Sequence, residues 1–306
     1  MQGFYFFERN TDEDTNRAAK SFERAIQLEP SYALAWVGLS RTRHWQATRG
    51  LIPADEGRRL AREAVVRALE LNPNLSTAYI QMGRIKRQDD FDWVGADAST
   101  QRGLALEPAN PENVRLAGFS KLILGRFDEA LSLDHRAVEL DPLSAENWES
   151  LGEAQFFTGQ LNEAATNVKH ALELKPDLWF SHSCLSQIYV LQGRPRDALP
   201  EIDRVEQNVQ DWGLRLHALA YFALEQRKES DTALSELIAK DQKTAEYEIA
   251  EVYAFRNQLN EAFEWLDRAY VRHNDGLILA KIDPFLKNLH NDPRYAALLK
   301  KLNLSN

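Results

Sequence analysis

Residues 145–178 read A-E-N-W-E-S-L-G-E-A-Q-F-F-T-G-Q-L-N-E-A-A-T-N-V-K-H-A-L-E-L-K-P-D-L, and this stretch decides the fold. Two amphipathic runs flank Gly159, and the second ends at Pro176. Gly152, Ala164 and Ala171 are small enough for two antiparallel helix backbones to approach, while Trp148, Leu151 and Val168 fill the space around them. Gly159 suits the chain reversal, Leu161 suits a hydrophobic staple, and Asn162 is the expected cap of the second helix.

The same pattern recurs along the chain. An exit of the form A-[IVL]-x-L-x-P aligns at Ala25 to Pro30, Ala68 to Pro73, Gly103 to Pro108, Ala137 to Pro142 and Ala171 to Pro176. Successive prolines lie 43, 35, 34 and 34 residues apart, the first interval being long because of an insertion of about nine residues near Trp45 to Pro53. A second ruler agrees: Gly125, Gly159 and Gly193 mark inter-helix turns, and Asn257 takes the equivalent place before Leu259. A period of about 34 residues built of helix pairs resembles the tetratricopeptide repeat.

The resemblance implies an all-α, right-handed α-α superhelix of about seven to eight helix-turn-helix repeats with a C-terminal capping segment. The expected array is a single one over 1–306, with repeats at about 1–32, 33–75, 76–110, 111–144, 145–178, 179–212, 213–242 and 243–276 and a cap at 277–306. Asp283-Pro284 and Asp292-Pro293 each read as an N-cap followed by proline at the first helical position. The final helix should turn Tyr295, Leu298, Leu299 and Leu302 inward and Lys300 and Lys301 to solvent. Pro200 is read as lying near the start of the second helix of repeat six, where the first turn tolerates it.

Composition bounds the function. The chain has 306 residues, 44% hydrophobic and 27% charged, with a formal charge of −9. That charge argues against direct nucleic-acid binding. There is no long apolar run and no basic-then-apolar leader, so neither membrane nor export is expected and the cytoplasm is the default. A lone cysteine, Cys184, allows no internal disulfide or paired-cysteine zinc site and reads as core filler. No phosphate loop, H-E-x-x-H or G-x-S-x-G occurs. The seven histidines show no ligand spacing, and Asp89, Asp90 and Asp92 do not follow a calcium loop, so they read as a solvated turn with Asp92 capping a helix from Trp93. No catalytic residue, cofactor or metal is expected.

In such arrays the first helices line a groove. Its expected lining is Arg41, His44, Trp45, Arg84, Arg87, Arg115 and Phe119 toward the N-terminus, and Glu149, Glu153, Phe156 and Phe180 further on. Arg215, Phe222, Glu225, Tyr247, Glu251 and Phe255 continue the series. The expectation is a protein or peptide ligand whose acidic part meets the arginines while apolar side chains seat near Phe119 and Phe156. Val37 with Arg41, and Ile80 with Arg84, stand where relatives that clamp chaperone carboxylates carry Lys and Asn, which disfavours that partner. The opening run Phe4, Tyr5, Phe6, Phe7 cannot face one side of a helix, so at least one ring is exposed. Phe4 and Phe7 are therefore the expected N-terminal interface, with an upstream domain or with a second copy in a homodimer. Self-association is accordingly the alternative to peptide binding, and an enzyme assembled across the groove, His44 with glutamates, is the remote one.

Phe91-Asp92-Trp93-Val94-Gly95-Ala96, together with Ile282-Asp283-Pro284-Phe285 and Asn291-Asp292-Pro293-Arg294-Tyr295, resembles the C-terminal repeat modules of bacterial regulators. Those modules follow winged-helix transcriptional domains or class III adenylate cyclase domains. The resemblance implies a regulatory interaction module and a protein that extends upstream of Met1. This chain shows neither a winged helix nor a cyclase domain, so neither activity is assigned to it.

Overall fold

Four of the five exit prolines are tied to the helix that follows them. Trp36 Nε1 donates to Pro30 O at 3.0 Å, Tyr79 OH to Pro73 O at 3.2 Å and Trp148 Nε1 to Pro142 O at 2.9 Å, and His182 Nε2 lies 3.0 Å from Pro176 O. The residue six places beyond the proline thus supplies an apolar body for packing and a polar tip for an orphan carbonyl. This bond fixes the turn between consecutive helix pairs.

The computed structural model describes residues 2–9, 11–206, 210–241 and 245–304. Their helices form eight consecutive pairs: α1 Gln2–Glu8 with α2 Asp12–Leu28, α3 Ala33–Thr48 with α4 Ala54–Leu71, α5 Ser76–Asp90 with α6 Trp93–Leu106, α7 Pro111–Ile123 with α8 Phe127–Leu140, α9 Ala145–Phe157 with α10 Leu161–Leu174, α11 Trp179–Leu191 with α12 Pro195–Glu206, α13 Gln210–Ala223 with α14 Arg227–Asp241, and α15 Glu246–Phe255 with α16 Leu259–Arg272. Two 3-10 turns, Asp275–Leu279 and Pro284–Leu289, and α17 Pro293–Lys301 complete the chain. No strand occurs among the described residues. The parts of repeats six, seven and eight at 207–209 and 242–244 lie outside them.

The structure divides into two compact units, 1–117 and 118–306, with the division inside α7. In the first unit, Phe22 is seated by the missing side chains of Gly3 and Gly38, with Ala18 and Ala35 beside it. The insertion near Trp45 to Pro53 lengthens the pair rather than adding a free loop. Helix α3 has 16 residues and α4 has 18, against 13 and 14 for α9 and α10. In the second unit, a Cβ on Gly152 would stand 2.5 Å from Val168 Cγ2, so α9 and α10 meet at their expected small residues.

Five turns inside the helix pairs of the second unit share one geometry. Gly125, Gly159, Gly193, Glu225 and Asn257 all have positive φ. The residue after each donates its amide five places back, Arg126 to Lys121 O, Gln160 to Gln155 O, Arg194 to Tyr189 O, Gln226 to Tyr221 O and Gln258 to Tyr253 O, at 2.8–3.0 Å. This is the helix C-terminal motif that favours glycine. Glu225, expected in the groove, is instead the turn residue of the seventh pair, at φ 62. Replacing Glu225 with glycine should therefore raise stability by about 1 kcal/mol, read by urea denaturation; no gain would mean the turn is unstrained.

Three local expectations are corrected. Asn162 is not the cap of α10, since Gln160 holds that place without a side-chain bond. Pro200 is the sixth residue of α12, beyond the first turn. The aspartates of the third repeat are not simply solvated: Asp92 does cap α6 through Gly95 N at 2.9 Å, but Asp90 takes both oxygens to Arg62 at 2.7 and 2.8 Å, and Asp89 sits beside Arg58 and His44.

Candidate binding surfaces

First helices lie side by side within each unit. In the first unit Gln81 Nε2 of α5 donates to Ser40 Oγ of α3 at 3.2 Å, and Asn113 Nδ2 of α7 donates to Ser76 Oγ of α5 at 2.7 Å. Buried polar groups so paired hold the register of neighbouring helices. The layer carries the predicted basic residues, but not as one open row. His44 is buried with Nδ1 4.0 Å from Asp89, and Arg87 is 6% exposed. Arg41 lies 5.2 Å from the centre of the Phe7 ring, Trp45 is covered by Arg49 at 5.3 Å, and Arg49 pairs with Asp12 at 2.8 Å. Arg41, Trp45, Arg84 and Arg115 are half-buried. Phe4 packs edge-on against Phe22 at 4.9 Å and Phe7 joins the same core, so the exposed ring of the opening run is Tyr5, at 57%.

The second unit departs further from expectation. Phe119, Glu149, Glu153 and Phe180 are half-buried. Ser181 Oγ of α11 donates to Glu149 at 2.5 Å, and burial, with Glu153 and Glu149 nearby, pushes the Cys184 thiol well up, which leaves it unreactive. Phe156 was expected to line an open groove; it is 3% exposed. The reason is Phe285 from the second 3-10 turn, 6.5 Å from Phe156 of α9 and 5.3 Å from Phe255 of α15, which in turn lies 5.7 Å from Phe222 of α13. Helices α9 and α15 are separated in sequence by two whole pairs, yet both reach one ring. The C-terminal segment therefore occupies the inner side of the first-helix layer in this unit, where a terminal cap was expected. Lys281 Nζ extends the contact to Leu124 O at 3.2 Å, and Asn288 Nδ2 donates to Ala254 O at 2.9 Å. Asp283 and Asp292 do cap as expected, accepting from Phe285 N and Arg294 N.

Behind Phe285 lies a buried ionic cluster. Arg215 of α13, 6% exposed, donates Nη1 to both oxygens of Glu251 of α15 at 2.8 and 2.6 Å. Tyr247 OH donates to Asp283 Oδ2 at 2.7 Å, while Asp283 Oδ1 accepts from Phe285 N at 2.8 Å. Three carboxyls, Glu248, Glu251 and Asp283, thus surround one guanidinium. Burial, opposed by Arg215, lifts Glu248 to about 7, and Glu251 and Asp283 are raised for the same reason. Arg215, Tyr247 and Glu251 were read as groove residues, but nothing in their spacing announced that they pair with the tail. A smaller trio, Asp203, Glu206 and His217, comes within 4.8 Å at the edge of α12 and α13, with His217 Nε2 3.5 Å from Glu206 and Asp203 exposed.

No described helix is long and apolar enough to cross a membrane. A family model of the tetratricopeptide repeat matches residues 145–178. No curated protein matches the chain. Among solved structures, Pseudomonas aeruginosa pilF is similar at TM-score 0.52 and 18% identity, covering 72% of this chain and 96% of its own. PilW, a type IV pilus biogenesis factor, is similar at TM-score 0.53 and 19% identity, covering 66% and 93%. A human IFIT1 dimer with m7Gppp-AAAA is similar at TM-score 0.60 and 17% identity, covering 87% and 70%. These likenesses concern the fold. Residues 145–178 carry the tetratricopeptide repeat, and the helix pairs on either side are built on the same solenoid plan.

Proposed function

We propose that the chain is a non-catalytic interaction scaffold that holds an acidic, partly apolar protein or peptide segment on the first-helix layer of residues 1–117. It would act as a regulatory module of a bacterial signalling or transcription protein in the cytoplasm. The observation that carries the reading is the placement of Arg41, Arg84 and Arg115 on three successive first helices, α3, α5 and α7, each half-buried. Stems packed against the layer lose less freedom on binding, and guanidinium groups suit paired bonds to carboxylates. Part of the inner side of the second unit is filled by Phe285, against Phe156 and Phe255. Self-association through Phe4 and Phe7 is the weaker reading, because both rings pack inward.

The test is fluorescence anisotropy with labelled peptides that combine Asp or Glu with Leu and Phe, at low salt. Arg41→Glu with Arg84→Glu and Arg115→Glu should weaken binding at least about tenfold with unchanged helical content, and added salt should weaken the wild type. Equal affinities would overturn the assignment. The IFIT1 structure holds m7Gppp-AAAA, so an RNA oligonucleotide is the second probe. The charge of −9 leads us to expect no RNA binding, and RNA binding without peptide binding would also overturn it.

A further inference from the structure

The tail that covers the inner side of the second unit is seated on an unbalanced set of charges. Asp275–Leu279 lies so close to α15 that a Cβ on Gly276 would stand 2.5 Å from the Tyr247 ring. Leu277, Leu286 and Leu289 are fully buried. At the centre of this apolar seat Asp283 enters a site that already holds Glu251 and Arg215. The groups facing it are Arg215 from α13, Glu246, Tyr247, Glu248 and Glu251 from α15, Asp275, Lys287 and His290 from the tail, and Tyr295 from α17. Arg272 at the end of α16 engages Glu246 at 3.1 Å. Glu248 Oε2 and Arg215 Nε are sealed from solvent without a hydrogen-bond partner. An apolar seat needs no such arrangement, and a carboxylate left unpaired in it opposes docking.

We propose that the segment Asp275–Leu289 is a proton-gated latch on the inner side of the 118–306 unit, seated while the carboxyls of Glu248, Glu251 and Asp283 share protons and loosened when they lose them. Opening would uncover Phe156, Phe255 and Tyr247. The sign follows from the direction of the shifts. Docking raises the affinity of these carboxyls for protons, so the docked state is favoured at low pH and loses that advantage as pH rises through the docked values. Glu248, lifted to about 7 in the docked chain with Asp275 of the segment among the causes, places the change between pH 6 and pH 8. Glu251 and Asp283 change in the same direction.

The test is hydrogen exchange of the full chain followed by mass spectrometry at pH 6 and pH 8, corrected for intrinsic exchange. Protection of 277–289 should fall by a factor of up to about ten for each carboxyl that titrates, while 145–174 keeps its protection. Glu248→Gln removes one titrating group, and Asp283→Asn removes another while retaining an N-cap acceptor, so each should flatten the pH dependence. Wild-type protection that is independent of pH, or an unchanged slope in both variants, would overturn the latch. If Asp283→Asn unseats the segment at both pH values, the Glu248→Gln slope decides.

Discussion

Replacing Arg215 with methionine is expected to lower stability by about 3–5 kcal/mol at pH 8 and by clearly less at pH 5. The side chain is almost wholly buried and gives Nη1 to both oxygens of Glu251. Methionine fills much of the same volume, so the change removes charge more than packing. What remains is Glu248, Glu251 and Asp283 with no cation among them. At pH 8 these carboxyls must either hold protons against bulk water or repel one another in a poorly solvated site. At pH 5 they carry protons readily, and the loss shrinks toward that of a neutral substitution. Urea denaturation at the two pH values measures the difference. Equal losses at both would show that Arg215 serves packing alone.

How far the sequence revealed this arrangement depends on whether a contact repeats. Trp148 with Pro142 and Gly152 with Val168 involve residues a few places to one turn-and-helix apart, and each recurs with the period, so several copies reported the same contact. The seventh pair was blurred because glutamate, not glycine, fills its left-handed turn at 225. That turn is still built, since the packing of the pair and the amide from Gln226 to Tyr221 O outweigh a local strain of about 1–2 kcal/mol. The tail contacts carry no period at all. Lys281 meets Leu124 across 157 residues, and Asp283 meets Tyr247 once. A motif such as Asp283-Pro284-Phe285 shows that a turn begins there, through the Asp cap, but not which face receives the ring. The basic half of the expected groove was legible as residue types on successive first helices. The burial of His44 was not, because its neighbour Asp89 lies at the end of α5, in a stretch whose acidic residues read as a solvated turn.

Replacing Phe285 with alanine is the second substitution with a large expected effect, about 3–5 kcal/mol. The ring is 1% exposed and is shared by Phe156 and Phe255, so its removal leaves a cavity between helices that only this ring bridges among the described aromatic contacts. Helix pairs in a solenoid are held mainly by their neighbours, and a terminal pair has one neighbour fewer. The tail supplies the missing neighbour to α15, and through Phe156 it joins that helix to α9. Phe285→Ala should therefore lower protection of 246–289 first, leaving α9 and α10 to exchange with the rest of the unit. A double-mutant cycle with Phe156→Ala should show coupling of about 0.5–1.5 kcal/mol, the usual range for an aromatic pair in contact. Additive losses would mean that the two rings are merely near each other, and that the tail is held by Leu286 and Leu289 instead.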